Sequence, residues 1–139
     1  MREMAVLDAM GSIVGGTGKT IGFWKHQVSS ARAGKTKGIQ VTDAELKDYL
    51  FGGTTSIKNL YIDVFSDIPA MTPSGYDYAL AILGSTSSDS VALLKKQLMG
   101  TELNHQSGRG LSDAWLQGML IAWGEFLAKN AGVYTRDSL

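Results

Sequence analysis

Apolar residues in this chain recur three and four positions apart, in runs separated by glycine, and no other feature narrows the fold as much. Such spacing returns each side chain to one face of a helix and would scatter them over both faces of a strand. Ile57, Leu60, Tyr61, Val64, Phe65 and Ile68 predict a helix over 57–68 that Pro69 stops. Tyr76, Ala79, Leu80 and Leu83 predict another over 76–83, closed by Gly84. A longer one over 89–105 carries Val91, Leu94, Leu98 and Leu103, turns Lys95 and Lys96 to solvent, and exits at Gly108 and Gly110. The last helix is capped by Ser112 with Asp113 in its first turn and ends at Gly132. Its apolar stripe is Trp115, Leu116, Met119, Leu120, Trp123, Phe126 and Leu127, which places Trp115 and Trp123 in the core.

Local capping chemistry adds a further element. Thr42 and Glu45 form a Thr-x-x-Glu capping box that opens a helix over 44–51, with Gly52 and Gly53 closing it. Toward the amino terminus, Val6, Leu7, Met10, Ile13 and Val14 can line one helix, and 20–31 contains another. The segments 39–41 and 61–65 are the best candidates for a strand pair, but their pattern is poorer. With seventeen glycines against two prolines, the reading is all-α: one compact bundle of five to seven short helices with Gly-rich turns, spanning 1–139 as a single domain.

Composition removes several classes of function. Hydrophobic residues make up 44% and charged residues 19% of the 139, against roughly 25% charged in an average soluble domain, so the chain can bury a core. Thirteen Lys and Arg balance thirteen Asp and Glu, which removes the basic field that nucleic-acid binding uses. The absence of cysteine excludes disulfides, thiolate metal sites and a thiol nucleophile. Apolar runs such as 119–123 are far short of the roughly 20 residues of a membrane-spanning helix. Charges at positions 2, 3 and 8 interrupt any secretory-signal pattern at the start, so an exported form of this chain is expected to be a mature portion or fragment.

Three signals suggest chemistry. Gly15-Gly16-Thr17-Gly18-Lys19-Thr20 looks like a phosphate-cradling loop, but the glycine needed five residues earlier is Ile13; for Gly34-Lys35-Thr36 that position is Ser29. Both read as Gly-rich turns. Glu102 and His105 are three apart on one helix face and, with His26, are the candidate ligands of a two-His, one-carboxylate metal site, although a single such pair falls short of a bundle metal centre. No nucleophile elbow, His-Glu-x-x-His or comparable hydrolase pattern occurs. The expectation is therefore a non-enzymatic chain with no cofactor and no catalytic residues.

Thr20-Ile21-Gly22-Phe23-Trp24-Lys25-His26 resembles the Thr-x-Gly-[Phe/Tyr]-Trp-Lys-x-His signature of a module found in large exported bacterial and archaeal surface proteins. The stretch from Leu93 through Gln97, Leu98 and Leu103 to Asn104 resembles the Leu-x-x-Gln-Leu-x-x-x-x-Leu-Asn helix of the same family, so the similarity covers about residues 17–131. Relatives read Lys-Asn-His or Lys-Thr-His where this chain has Lys25-His26-Gln27, and many carry cysteines. The resemblance implies an extracellular or cell-surface location, with the neighbouring domains of a parent protein or copies of the chain itself as partners. Together with the lack of a catalytic pattern it points to a structural or adhesive role, and the low charge content and seventeen glycines suit self-assembly into a filament or sheath as a variant. The alternative is a small metal- or glycan-binding domain centred on Trp24, His26, Glu102 and His105. In the structural reading Trp24 plugs the bundle between the 89–105 helix and the terminal helix, beside Phe23 and under Lys25. Gly22 then permits the close approach, while Gln97 and Asn104 hydrogen-bond the backbone of the Gly-rich segment.

Overall fold

The computed structural model describes residues 18–54, 56–59, 64–109 and 114–129, without the side chains of 114–117 and 119. Among the described residues there are five α-helices and no strand, as the spacing predicts: α1 (Ile21–Arg32), α2 (Asp43–Lys47), α3 (Ser74–Leu83), α4 (Ser90–Gln106) and α5 (Ala114–Lys129). A π-helical turn (Asp48–Gly52) continues α2, and a 3-10 turn (Ile57–Asn59) follows it. The expected amino-terminal helix, Leu60, Tyr61, Gly110, Ser112, Asp113 and Gly132 lie outside the described residues.

Side-chain capping explains where three of the helices begin. Thr42 Oγ1 accepts from the Glu45 amide at 3.1 Å while Glu45 Oε1 accepts from the Thr42 amide at 3.1 Å, the reciprocal box read from the sequence. Thr20 Oγ1 accepts from the Phe23 amide and starts α1. Asp89 Oδ2 takes the amides of Val91 and Ala92, each at 3.1 Å, and starts α4.

α1 lies on α3 and α4 lies on α5, and α4 also touches α1 and α3, so α4 is the spine. Around it Trp24, Val28, Leu46, Leu50, Tyr76, Leu83, Leu94, Leu98 and Leu103 form one core. No described helix is long and apolar enough to cross a membrane.

Two expectations are corrected. No single helix spans 57–68: Ile57–Asn59 is a 3-10 turn and 64–67 is a turn. Ile57, Phe65 and Ile68 are fully buried all the same, and side chains meet part of the described backbone around them. Lys58 Nζ donates to the carbonyls of Ser66 and Ile68, and the Val64 amide donates to Glu125 Oε1. Periodicity reports which residues face inward, and here side chains replace the helical ladder that would ordinarily accompany it.

In α5 the buried arc runs through Ile121, Glu125, Leu127 and Ala128, not through Trp123 and Phe126, which are 40% and 37% exposed. α5 is apolar on nearly every side, so spacing cannot choose its inner face. Contact with α4 selects the arc containing Glu125. The two displaced rings stack on each other, 5.7 Å apart and 8° from parallel.

Candidate functional site

The two sequence blocks meet at Asn104. Trp24 is fully buried, and its indole Nε1 donates to Asn104 Oδ1 at 3.0 Å. The same oxygen accepts from the Lys19 amide at 3.0 Å, while Asn104 Nδ2 donates to the Lys19 carbonyl at 2.9 Å. One carboxamide thus pairs with the segment before α1 as a strand neighbour would, and also satisfies the indole in the core. The close approach this requires is made at Gly18, where a Cβ would lie 2.6 Å from Asn104 Nδ2 and 2.9 Å from the Arg109 carbonyl oxygen.

The expected role of Gly22 therefore falls to Gly18. Gly22 is exposed, and a Cβ there would meet nothing nearer than 3.7 Å. The bond expected of Gln97 is not made among the described residues; Gln97 is half-buried, and its backbone carbonyl accepts from Thr101 Oγ1. Lys25 is exposed beside Gly84, and the cation over the Trp24 ring is Arg109, 5.9 Å from its centroid. Phe23 sits edge-on to Trp24 at 5.1 Å with Lys19 Nζ above it. Trp24 packs against α4 and, at 6.5 Å, the Tyr49 ring of the π-helical turn.

The three candidate metal ligands are not brought together. His26 is exposed on α1, His105 is half-buried in the last turn of α4, and Glu102 is fully buried. Among the described residues no three His, Asp or Glu side chains are arranged to hold a metal ion. Glu102 instead faces another buried carboxylate, Glu125 of α5. Among the described residues neither Glu102 oxygen has a hydrogen-bond partner. Burial first, and the charge of Glu125 second, push this carboxyl well above the usual range and favour its protonated form.

A third feature, an open cleft of about 650 Å³, lies between the end of α1, the loop over 33–42, the start of α2 and the turn before α3. Its apolar floor includes Ala31, Ile39, Val41 and Pro73, and Arg32, Lys35 and Lys47 stand around it. One wall is a polar chain: Tyr76 Oη donates to Asp43 Oδ1 and Lys47 Nζ donates to Asp43 Oδ2 at 2.8 Å. Lys47 first and Tyr76 second hold the Asp43 carboxyl below its ordinary range, while burial and the adjacent Asp43 raise the Tyr76 phenol. Arg32 Nε pairs with Asp77 Oδ1 at 2.9 Å.

The loop is anchored from behind by Gln27, the residue next to the shifted histidine. Gln27 is 2% exposed, and its Oε1 accepts from the amides of Gln40 and Val41 at 3.0 and 3.1 Å. Sequence reasoning did not find this cleft, since its residues are scattered over four segments. Gly34-Lys35-Thr36, excluded as a phosphate loop, supplies part of its rim. The visible clue was that triplet flanked by Gly38: Gly34 and Gly38 adopt φ of 72° and 73°, which shape an irregular loop.

Compared with models of known families, with curated proteins and with solved structures, the chain matches none of them.

Proposed function

We propose that this chain is a non-enzymatic structural module of an exported surface protein, working through contacts with neighbouring domains or with copies of itself. The observation that carries the reading is the commitment of the signature residues to architecture. Trp24 and Asn104 are buried and bonded to each other and to the Lys19 backbone, so the two blocks that resemble the surface-protein module hold the fold together. Work is left to the surface. There the stacked rings of Trp123 and Phe126 offer an aromatic contact of the type enriched in protein interfaces.

Sedimentation velocity over a wide concentration range tests the assembly part. The weight-average sedimentation coefficient is expected to rise with concentration, and the double variant Trp123→Ser with Phe126→Ser is expected to flatten that rise. A wild-type chain that stays monomeric throughout overturns self-assembly. Labelling of intact native cells with an impermeant amine reagent tests location, and a domain protected until lysis overturns the surface reading.

A further inference from the structure

The cleft behind α1 borders the core at Val41 and Tyr76 and opens outward beneath an irregular loop. Its long loop has neither helical nor strand bonding over most of 33–42, yet it is fastened at both ends. The Lys35 amide donates to the Ser30 carbonyl at 2.9 Å at one end, and the buried Gln27 carboxamide holds Gln40 and Val41 at the other. Positive-φ glycines at 34 and 38 bracket Lys35 and Thr36, which lie on the rim. A buried glutamine used to brace an open loop keeps a hollow in place before anything enters it, and preformed hollows of roughly 300–1,000 Å³ are the size class of small-molecule sites.

Charge chooses the occupant. The lining holds three cations and one carboxylate in a chain whose formal net charge is zero. Asp43 is occupied on both oxygens, by Tyr76 and by Lys47, so it repels an anion little. Arg32 uses only Nε toward Asp77, which leaves its terminal nitrogens free of that pair. Among the described residues Lys35 takes part in no ion pair. The excess charge at the rim therefore belongs to Lys35, above a floor of Ala31, Ile39, Val41 and Pro73.

We propose that this cleft binds a small organic anion, an apolar body carrying one carboxylate, with the body on the Ile39, Val41 and Pro73 floor and the carboxylate between Lys35 and Arg32. This site is distinct from the Trp24 and Asn104 knot and from the aromatic pair of α5, and it does not depend on the structural reading above. Two polar recognition groups of different shape suit a carboxylate: the Arg32 fork can present paired donors and the Lys35 ammonium a point charge.

The test is a titration of the full chain with octanoate and, separately, with octanol, followed by amide chemical shifts. Octanoate is expected to shift the amides of Ile39, Val41 and Thr72 saturably and to bind several-fold more tightly than octanol. Lys35→Glu is expected to weaken octanoate at least roughly tenfold, through the loss of one charge-assisted contact and the repulsion of the new carboxylate, and to leave octanol unchanged. Lys37→Glu, in the same loop but outside the lining, is the control and is expected to bind octanoate like the parent chain. Both lysines are exposed, so the variants fold and their spectra report it. Equal binding of acid and alcohol overturns the proposal, as do equal losses in the two lysine variants or shifts that never saturate.

Discussion

Exchanging Glu102 for Gln alters one atom of a fully buried side chain and removes its ability to ionise. In the parent chain both carboxyl oxygens are buried beside the buried Glu125 and have no partner among the described residues. Burial and that neighbouring charge raise the folded-state pKa well above 4.5. The sign follows from proton counts. Above about pH 4.5 the unfolded chain releases this proton while the folded chain keeps it, so the folded state binds more protons and stability falls as pH rises. The slope is about 1.4 kcal/mol per pH unit, and it continues until the pH passes the folded-state value of the carboxyl. The contribution is complete below the unfolded pKa and lost above the folded one. Glu102→Gln lacks this slope while retaining the shape and an unbonded polar end, so the two proteins should be close in stability near pH 4 and diverge above pH 5 in favour of the variant. Urea denaturation read by tryptophan fluorescence, repeated at half-unit steps from pH 4 to 8, measures both curves; titrations of groups away from the Glu102 and Glu125 pair cancel in their difference. Parallel curves over that range would refute the argument, because they would mean that Glu102 is solvated or partnered in the folded state.

Other substitutions probe the rest of the fold. Asn104→Ala leaves the Trp24 indole and the Lys19 amide without their acceptor and should cost about 2–5 kcal/mol, measured by the same denaturation; a loss under about 1 kcal/mol would show that the knot is dispensable. Trp24→Ala removes the largest fully buried side chain and should cost roughly 3–5 kcal/mol, with a stably folded variant as the contrary result. Gly75→Ala puts a methyl 2.5 Å from the Pro69 carbonyl oxygen and 2.6 Å from Phe51, so calorimetry should register a loss of about 1–3 kcal/mol; an unchanged melting temperature would show that the turn before α3 yields freely.

The helices visible in the sequence were those with a local cap or with an apolar stripe whose burial follows its spacing. Thr42 and Glu45 settle their cap within four residues, and the α3 stripe residues Tyr76, Ala79 and Leu83 are buried between α1 and α4, so periodicity and burial agree there. Around 57–68 the same periodicity accompanied burial without a helix, since the competing partners lie beyond one helical turn: Lys58 reaches the Ser66 and Ile68 carbonyls, and Glu125 takes the Val64 amide from 61 residues away. The glycine of close approach was misplaced for a similar reason. Gly18 and Gly22 differ only in what lies across from them, and Asn104 is 85 residues from Lys19. The cleft escaped notice because Arg32, Lys35, Asp43 and Tyr76 belong to no shared motif.

What the sequence determined by itself is short-range: helical periodicity, reciprocal caps, glycine at the turns, and a composition that buries a core without cysteine or excess charge. These depend on interactions within a turn or two of chain, which the order of residues specifies. Tertiary structure alone decided which arc of α5 turns inward, which carboxylates face each other in the core, and which cations gather around an apolar hollow. Each of those is a choice between nearly equal local options, and it is made by whatever distant segment arrives to pack against them.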